Sequence, residues 1–363
     1  MKAKGGLALS NLSTLLSDLS DDPVIQGLEV YLVGGAVRDA LMGRVVTDRD
    51  WVVVGTDAQS MTARGFVPVG ADFPVFLHPQ SQEEFALART ERKTASGHQG
   101  FEFYAAQDVS LERDLQRRDF TVNAIAADPQ GRIFDPFGGR TDIERKRLRP
   151  VGKAFNEDPL RVFRAARFMA QLDFAVDSEF LDRLPSMLPE LTSLSAERLW
   201  QETLKAFSGQ PARYFDALND WGVLQALSLG HVETVAVRGT ESTSKLADWI
   251  FQLPTQSKAW LEAWRAPKRW VQLAKDCAQW ESSEKAFALL DQMGALKQTP
   301  RSELFLQALA EAGIDADQIR NALERSLEIK AEDLADQYQG RALGEALKAC
   351  REAAYQRSIK SDN

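Results

Sequence analysis

The stretch VGGAVRD, Val33 to Asp39, runs on through ALMGRVVTDRDWVVV, Ala40 to Val54, and its reading decides the fold of the first half of the chain. Gly34 and Gly35 end one strand and open a helix carrying Arg38, and Trp51 to Val54 read as a second, buried strand. Backbone amides freed at such a turn hold phosphate oxygens, helped by the helix N-terminus, and Arg38 faces the same anion. Strand–Gly–Gly–helix turns are also common for steric reasons alone. Asp48 and Asp50 stand at i and i+2, which on a strand share one face. Two carboxylates there repel each other unless cations lie between them. They fit a two-metal phosphoryl-transfer site, with Mg²⁺ expected from the all-oxygen ligand set and Mn²⁺ suited to the same ligands. The spacing fits equally a pair of surface acids salt-bridged to Arg49 or Arg44. Glu84, at the start of EFALAR, is the candidate for a third carboxylate from a neighbouring strand.

Outward from this stretch, the first 150 residues alternate β-rich runs such as EVYLVGG, FPVFLHP and FTVNAIAAD with helical periodicity at AVRDALMG and AQSMTARG. That predicts an α+β domain with a small sheet. From about Asp158 the pattern turns helical and strand signals almost vanish. The expected architecture is a small-sheet head followed by an all-helical neck, body and tail. Its expected divisions are an N-terminal extension over residues 1–28, a head over 29–150, a neck over 151–229, and a body and tail over 230–363. The leucine-rich opening is interrupted by Asn11, Ser13, Ser17 and Asp18, and no small-residue cleavage pattern follows. It reads as a short amphipathic helix or a loose extension, not a signal peptide. Five tryptophans fall between Trp249 and Trp280; Trp260 and Trp264 lie one helical turn apart, which favours core packing over base stacking.

Cys277 and Cys350 are the only two cysteines, too few and too far apart for a disulfide framework. No apolar run reaches the ~18 residues that a membrane helix needs, and a cytoplasmic location is expected. The net charge of −8 hides a basic block, for residues 113–167 carry 13 basic and eight acidic side chains. Such a block suits a phosphate-rich ligand held in one cleft, or simply a solvated surface. Within it, Arg117 and Arg118 offer forked phosphate contacts. Asp119 is expected to orient one of them, and Asn123 to bond a ribose or a backbone group; a surface ion-pair cluster is the alternative. Further on, Asp158 and Pro159 start a helix along which Arg161, Arg164 and Arg167 are spaced three apart. No acid at i+4 pairs this stripe. Arg164 and Arg167 are expected to hold a triphosphate, and Asp158 and Arg161 to present an acceptor and donors to a base edge. A plain N-cap is the competing role for Asp158.

Taken together, LVGGAVRDALMG, DRDWVVVG, DFPVFLHP, EEFALARTERK, RRDFTVNAIA, DPFGG, EDPLRVFRAARF and ERLWQETLKAF occur in an order that resembles the class II transfer-RNA nucleotidyltransferase family, within the polymerase-beta-like superfamily. Three of these segments are more similar to bacterial CCA-adding enzymes than to poly(A) polymerases. The resemblance implies addition of CCA to tRNA from CTP and ATP. Gly35 and Arg38 match nucleotide-contacting positions, Asp48 and Asp50 the metal-binding pair, and Arg118, Arg164 and Arg167 positions that bind ATP or CTP. Asp158 and Arg161 match the protein template that selects cytosine and adenine, and Glu84 the third acidic position.

Many bacterial relatives continue into a metal-dependent phosphohydrolase domain with paired His and Asp ligands. Of the three histidines only His231 lies in the helical half, so that activity is not expected. Three rival functions share the motifs. They are a partial enzyme adding only CC or only A, differing in a loop within residues 93–108; a poly(A) polymerase; and a catalytically idle RNA-binding module.

Overall fold

A computed structural model describes residues 22–69, 75–93, 101–104 and 107–361, together with Leu12, Leu15, Leu16 and Leu19. The chain divides into two compact units, residues 1–194 and 195–363. In the first, the order is β1 (Glu29–Val33), α1 (Gly35–Leu41), β2 (Asp50–Val54), α2 (Ala58–Ala63), β3 (Val67–Val69), β4 (Val75–Leu77), β5 (Glu84–Leu87), β6 (Thr90–Lys93), β7 (Phe101–Tyr104), α3 (Leu111–Gln116), β8 (Ala126–Ala127), β9 (Ile133–Phe134), α4 (Gly139–Glu144), β10 (Arg147–Leu148), α5 (Leu160–Leu172), β11 (Ala175–Val176) and α6 (Ser178–Met187).

Seven of these strands form one sheet in the order β3-β4-β5-β2-β1-β8-β9. β2 lies antiparallel to β1 and parallel to β5, so it is central, and Trp51, Val52 and Val53 are all buried. Successive side chains take opposite faces. Trp51 and Val53 join Leu32, Phe85 and the apolar side of α1 (Ala36, Val37, Ala40) in one core. Val52 joins Val33, Leu115 of α3 and Ala126 in the other. Truncating Trp51 or Phe85 to alanine would cost about 3–5 kcal/mol. Leu12, Leu16 and Leu19 are buried in the first of these cores, so these three positions of the N-terminal extension pack with the head.

The expected head boundary at residue 150 falls inside the first unit. β10 pairs in parallel with β11 across α5, which ties that helix to the α+β layer. α5 buries Val162, Phe163, Ala165 and Ala166, and ends at Asp173 in the left-handed conformation (φ 60°). The loop over 93–108 that bears on partial activity is described only at the β6–β7 hairpin and from Gln107 onward; residues 94–100 and 105–106 lie outside the described residues.

The second unit contains α7 (Ala196–Ala206), α8 (Pro211–Asp220), α9 (Val223–Ala226), α10 (Ser242–Gln252), α11 (Pro254–Ala263), α12 (Lys268–Cys277), α13 (Phe287–Gln292), α14 (Pro300–Glu311), α15 (Ala316–Leu327) and α16 (Gly340–Ser361), with no strand among its described residues. Trp249, Trp260, Trp264 and Trp270 are buried, and the Trp249 ring stacks on Phe215 at 5.1 Å. Trp260 and Trp264 are core, as their spacing predicts, while Trp280 is half-buried. Among the described residues, no helix is long and apolar enough to cross a membrane.

Candidate active site

Strand register gathers distant segments at one end of the sheet. Val33 stands opposite Asp50, Asp50 opposite Glu84, and Val33 also opposite Ala126. β1 therefore ends where β2 and β5 begin. Gly34 leaves β1 with φ 71° and ψ −130°, a conformation that side chains disfavour. Its N–H donates to the Ile125 carbonyl at 3.1 Å and its carbonyl accepts from the Arg38 N–H at 3.1 Å. A Cβ at Gly34 would also lie 2.9 Å from Nη1 of Arg118, so a side chain there would displace that guanidinium in addition to straining the backbone.

Asp50 is the first residue of β2, whereas Asp48 lies in the irregular segment before it. The two acids are thus brought together by the entry into the strand and not by strand periodicity. The Asp50 carboxyl is shifted above the usual carboxylate range, first by desolvation; Arg118 opposes the shift and Asp48 adds to it. Among the described residues nothing donates a hydrogen bond to the Asp50 carboxylate or forms an ion pair with it. The surface ion-pair alternative is not realised: Arg49 bonds Glu83 and the Leu15 carbonyl, and Arg44 bonds the Gln171 carbonyl. A desolvated, unbonded carboxylate beside a second one is a hard-oxygen pair that a divalent cation would relieve, so the two residues fit such an ion.

Glu84 departs from expectation. It is the register partner of Asp50, yet among the described residues no three His, Cys, Asp or Glu side chains form a group able to hold a metal. Register brings backbones together, and convergence of side chains needs more than that.

The arginines are also arranged differently from the prediction. Asp114, fully buried, takes Nε and Nη2 of Arg117 at 3.0 and 2.7 Å and Nη2 of Arg118 at 3.2 Å. Burial would raise its pKa, but the two guanidinium groups hold it below the ordinary value. Asp119 instead grips Arg164, whose Nε and Nη2 reach its Oδ2 at 2.7 and 2.6 Å. Its Oδ1 accepts from the Phe120 N–H at 2.7 Å and from Asn123 Nδ2 at 2.9 Å. Asn123 Oδ1 in turn accepts from Nη1 of Arg38, while Nε and Nη2 of Arg38 bond the Asp39 carboxylate, each at 3.0 Å. Asn123 is therefore a buried junction from α1 to α5.

Phe168 assembles the rest. Guanidinium groups of Arg38, Arg164 and Arg167 lie 5.3, 5.5 and 4.0 Å from its ring centroid. Arg167 is buried and bonds Gln171 Oε1 at 2.7 Å. Arg161 is buried too, with Nη1 on the Ala154 carbonyl at 3.0 Å and Nη2 on the Arg117 carbonyl at 2.6 Å. Asp158 Oδ1 accepts from the Leu160 N–H at 3.1 Å, a local bond at the start of α5, whose N-cap position is Pro159. Asp114 and Phe168 were not legible as site residues. An acid one helical turn ahead of an arginine pair, and an aromatic beside an arginine stripe, are the signals that could have found them.

Comparison with known proteins agrees with this geometry. Residues 30–149 match the Poly A polymerase head domain, and residues 173–231 match the probable RNA and SrmB-binding site of polymerase A. A CCA-adding enzyme of Coxiella burnetii is 54% identical over 207 residues, 56% of this chain and 55% of that protein, so the chain spans about half the length of the first curated relatives it matches. A CCA-adding enzyme of Bordetella bronchiseptica is 40% identical over 342 residues, 88% of this chain and 94% of that protein. The crystal structure of the Bacillus stearothermophilus CCA-adding enzyme in complex with CTP superimposes with a TM-score of 0.68 at 25% identity, covering 100% of this chain and 98% of that one. With similarity running across nearly the whole length of the Bordetella protein, the chain belongs to the CCA-adding enzyme family.

Proposed function

We propose that this protein adds the 3′-terminal CCA sequence to tRNA from CTP and ATP, without a nucleic-acid template. The observation that carries the reading is the desolvated, unbonded Asp50 carboxylate beside Asp48, one register step from the Gly34 turn and within the field of Arg118. In the reaction the RNA 3′-hydroxyl attacks the α-phosphorus. A new P–O bond forms, the bond to the β-phosphate oxygen breaks, and pyrophosphate leaves.

Asp48 and Asp50 would hold Mg²⁺, which when bound activates the hydroxyl and neutralises the leaving group. In the Gly34–Gly35 turn the Gly35 N–H is assigned to phosphate oxygens, since the Gly34 N–H already bonds the Ile125 carbonyl. Arg118 has a buried Nε without a partner among the described residues and is assigned to the same phosphates. Arg38, Arg164 and Arg167 meet the triphosphate with their planes already set by Asp39, Asp119, Gln171 and Phe168, so little orientation remains to be lost on binding. Asp158 is assigned the exocyclic amine of cytosine or adenine. Arg161 is assigned the ring acceptor, which requires exchanging one of its two bonds to backbone carbonyls.

On this reading residues 29–150 carry catalysis, 151–229 the nucleotide template, and 230–363 the grip on the RNA, in a cytoplasmic protein. The test is incorporation on tRNA ending before CCA, after C and after CC, with CTP and ATP separately and together. Three added nucleotides on the first acceptor is the expected result. Only C or only A reassigns the protein to partial addition, a long A tail to poly(A) synthesis, and binding without incorporation to an RNA-binding module.

A further inference from the structure

Arg49 stands between the two acids assigned to the metal and bonds neither. Its Nε donates to Glu83 Oε1 at 2.5 Å and its Nη1 to the Leu15 carbonyl at 2.9 Å. The guanidinium lies 5.8 Å from the Trp51 ring centroid, and Trp51 Nε1 donates to the other oxygen of Glu83 at 3.1 Å. The Arg49 and Glu83 side chains are only 23% and 20% exposed, so solvent screens this pair little. Leu15 packs against the core that contains Trp51. Successive side chains alternate, which puts Arg49 on the Trp51 side of the chain and Asp50 on the other.

The turn carrying Glu83 is fixed in its own right. The His78 N–H donates to the Glu83 carbonyl at 3.0 Å, and Nε2 of the buried His78 ring lies 3.1 Å from Asp22 Oδ2. Arg49 is thus fastened both to the β4–β5 turn and to the N-terminal extension, each about 34 residues away along the chain.

The acids themselves have no comparable hold. Nothing bonds the Asp50 carboxylate, and among the described residues Asp48 is reached only by the adjacent Thr47 Oγ1, at 3.3 Å. Like charges favour turning apart, and the backbone between these two is the single residue Arg49. Glu83 has a second effect. An arginine between two carboxylates would otherwise pair with them and compete with a cation, and Glu83 holds the guanidinium away.

We infer that Arg49, forked between Glu83 and the Leu15 carbonyl, is a positioning residue that presents Asp48 and Asp50 to a divalent cation, on the reading that these two acids hold the metal for nucleotide transfer. The N-terminal extension then supports the site through one backbone carbonyl, although it supplies no group to the reaction.

The test uses two variants of the full chain. Arg49→Met keeps the stem and loses the fork, and Glu83→Gln keeps the shape and loses the charge, so the second decides if the first does not fold. Thermal unfolding establishes that each is folded at the assay temperature. Binding of Mn²⁺, in place of Mg²⁺, is read from the paramagnetic resonance of the free ion, with Asp50→Asn as the control that removes the site. CTP affinity is measured without metal, and incorporation as a function of Mg²⁺ concentration. Both variants should lose roughly tenfold in Mn²⁺ affinity, the usual cost of removing a residue that orients metal ligands. Half-maximal incorporation should need about tenfold more Mg²⁺, with the rate recovering at high Mg²⁺ and metal-free CTP affinity unchanged.

The sign of the Arg49→Met effect separates positioning from charge. Removing a positive charge beside two carboxylates tightens cation binding if charge alone acts. Unchanged or tighter Mn²⁺ binding in Arg49→Met overturns the inference, as does unchanged binding in Glu83→Gln or a lowered melting temperature with Mn²⁺ affinity intact. Wild-type Mn²⁺ binding no tighter than that of Asp50→Asn overturns the metal assignment and the role of Arg49 with it. A wild-type protein that binds Mn²⁺ through Asp50 without extending tRNA refutes the tRNA reading alone, and the Mn²⁺ affinities of the variants still decide the role of Arg49.

Discussion

Asp119 receives both Nε and Nη2 of Arg164 on its Oδ2, at 2.7 and 2.6 Å, across 45 residues of sequence. This contact joins the end of the head segment to α5, and through Asn123 it continues to Arg38 on α1. Two of the arginines assigned to the nucleotide, Arg38 and Arg164, are thus held by one buried carboxylate and one buried amide.

Asp119→Asn leaves Arg164 without its counter-charge. Breaking a buried pair costs about 3–5 kcal/mol, so the variant should melt well below the parent. Nucleotide affinity should fall with it, because Arg164 is no longer held. Thermal unfolding and equilibrium CTP binding check both; an unchanged melting temperature would remove the positioning role.

The same residue predicts an acid limit to stability. Burial would raise the Asp119 pKa, but Arg164, Asn123 and the Phe120 N–H hold it far below the ordinary value; Asp114 and Asp142 are also lowered, by their arginines and, for Asp142, by Thr121 as well. Depressed carboxylates stabilise the fold fully above the unfolded pKa of about 4 and lose that contribution as pH falls towards their folded values. Denaturant midpoints should therefore be flat from pH 7 to 5 and fall below about 4, with a shallower fall in Asp119→Asn.

Asp50 carries the opposite sign. Its pKa is raised by desolvation and by Asp48, so its ionised form costs stability above the ordinary value and costs nothing below it. Asp50→Asn should leave the melting temperature at pH 7 unchanged or higher. Nucleotide incorporation should drop at least about a thousandfold, ~4 kcal/mol of lost transition-state stabilisation. Retained incorporation would refute the metal assignment.

Gly34 and Gly43 both have positive φ, 71° and 69°. Alanine at Gly43 meets about 1–2 kcal/mol of strain, and at Gly34, where ψ is −130°, it enters a region used essentially only by glycine and meets about 1–3 kcal/mol. Nothing lies within 4 Å of a Cβ at Gly43, whereas at Gly34 it would press on Arg118 Nη1. Gly43→Ala should lower stability alone, and Gly34→Ala should lower stability and raise the KM for CTP; equal kinetics in the two variants would separate Arg118 from the nucleotide.

Phe168→Leu keeps an apolar side chain but removes the ring faced by three guanidinium groups. Each such contact contributes about 0.5–1 kcal/mol or more when desolvated. CTP and ATP binding should weaken together by roughly tenfold, with C-to-A selection unchanged, because the residues assigned to the base are Asp158, ahead of α5, and Arg161 in its first turn. A change in selection without a change in affinity would argue against the role given to Phe168.

The Gly34–Gly35 turn, the buried strand over Trp51–Val53, the switch to helices after Asp158 and the core role of Trp260 and Trp264 were legible in the sequence by itself. Turn glycines and the periods of strands and helices act over a few residues, so they can be read locally. The partners of the charged residues could not be read that way. Along the chain Asp119 follows Arg117 and Arg118 and is expected to orient one of them, but α5 packs so that Arg164 arrives instead, while Asp114 takes both Arg117 and Arg118. Glu84 is a neighbour of Asp50 by register and still does not complete a three-acid group. An ion pair forms wherever packing brings opposite charges within reach, and several acids near several arginines satisfy the sequence equally well. Only the docking of α5 on the head, driven by burial of its apolar side chains, selects among them.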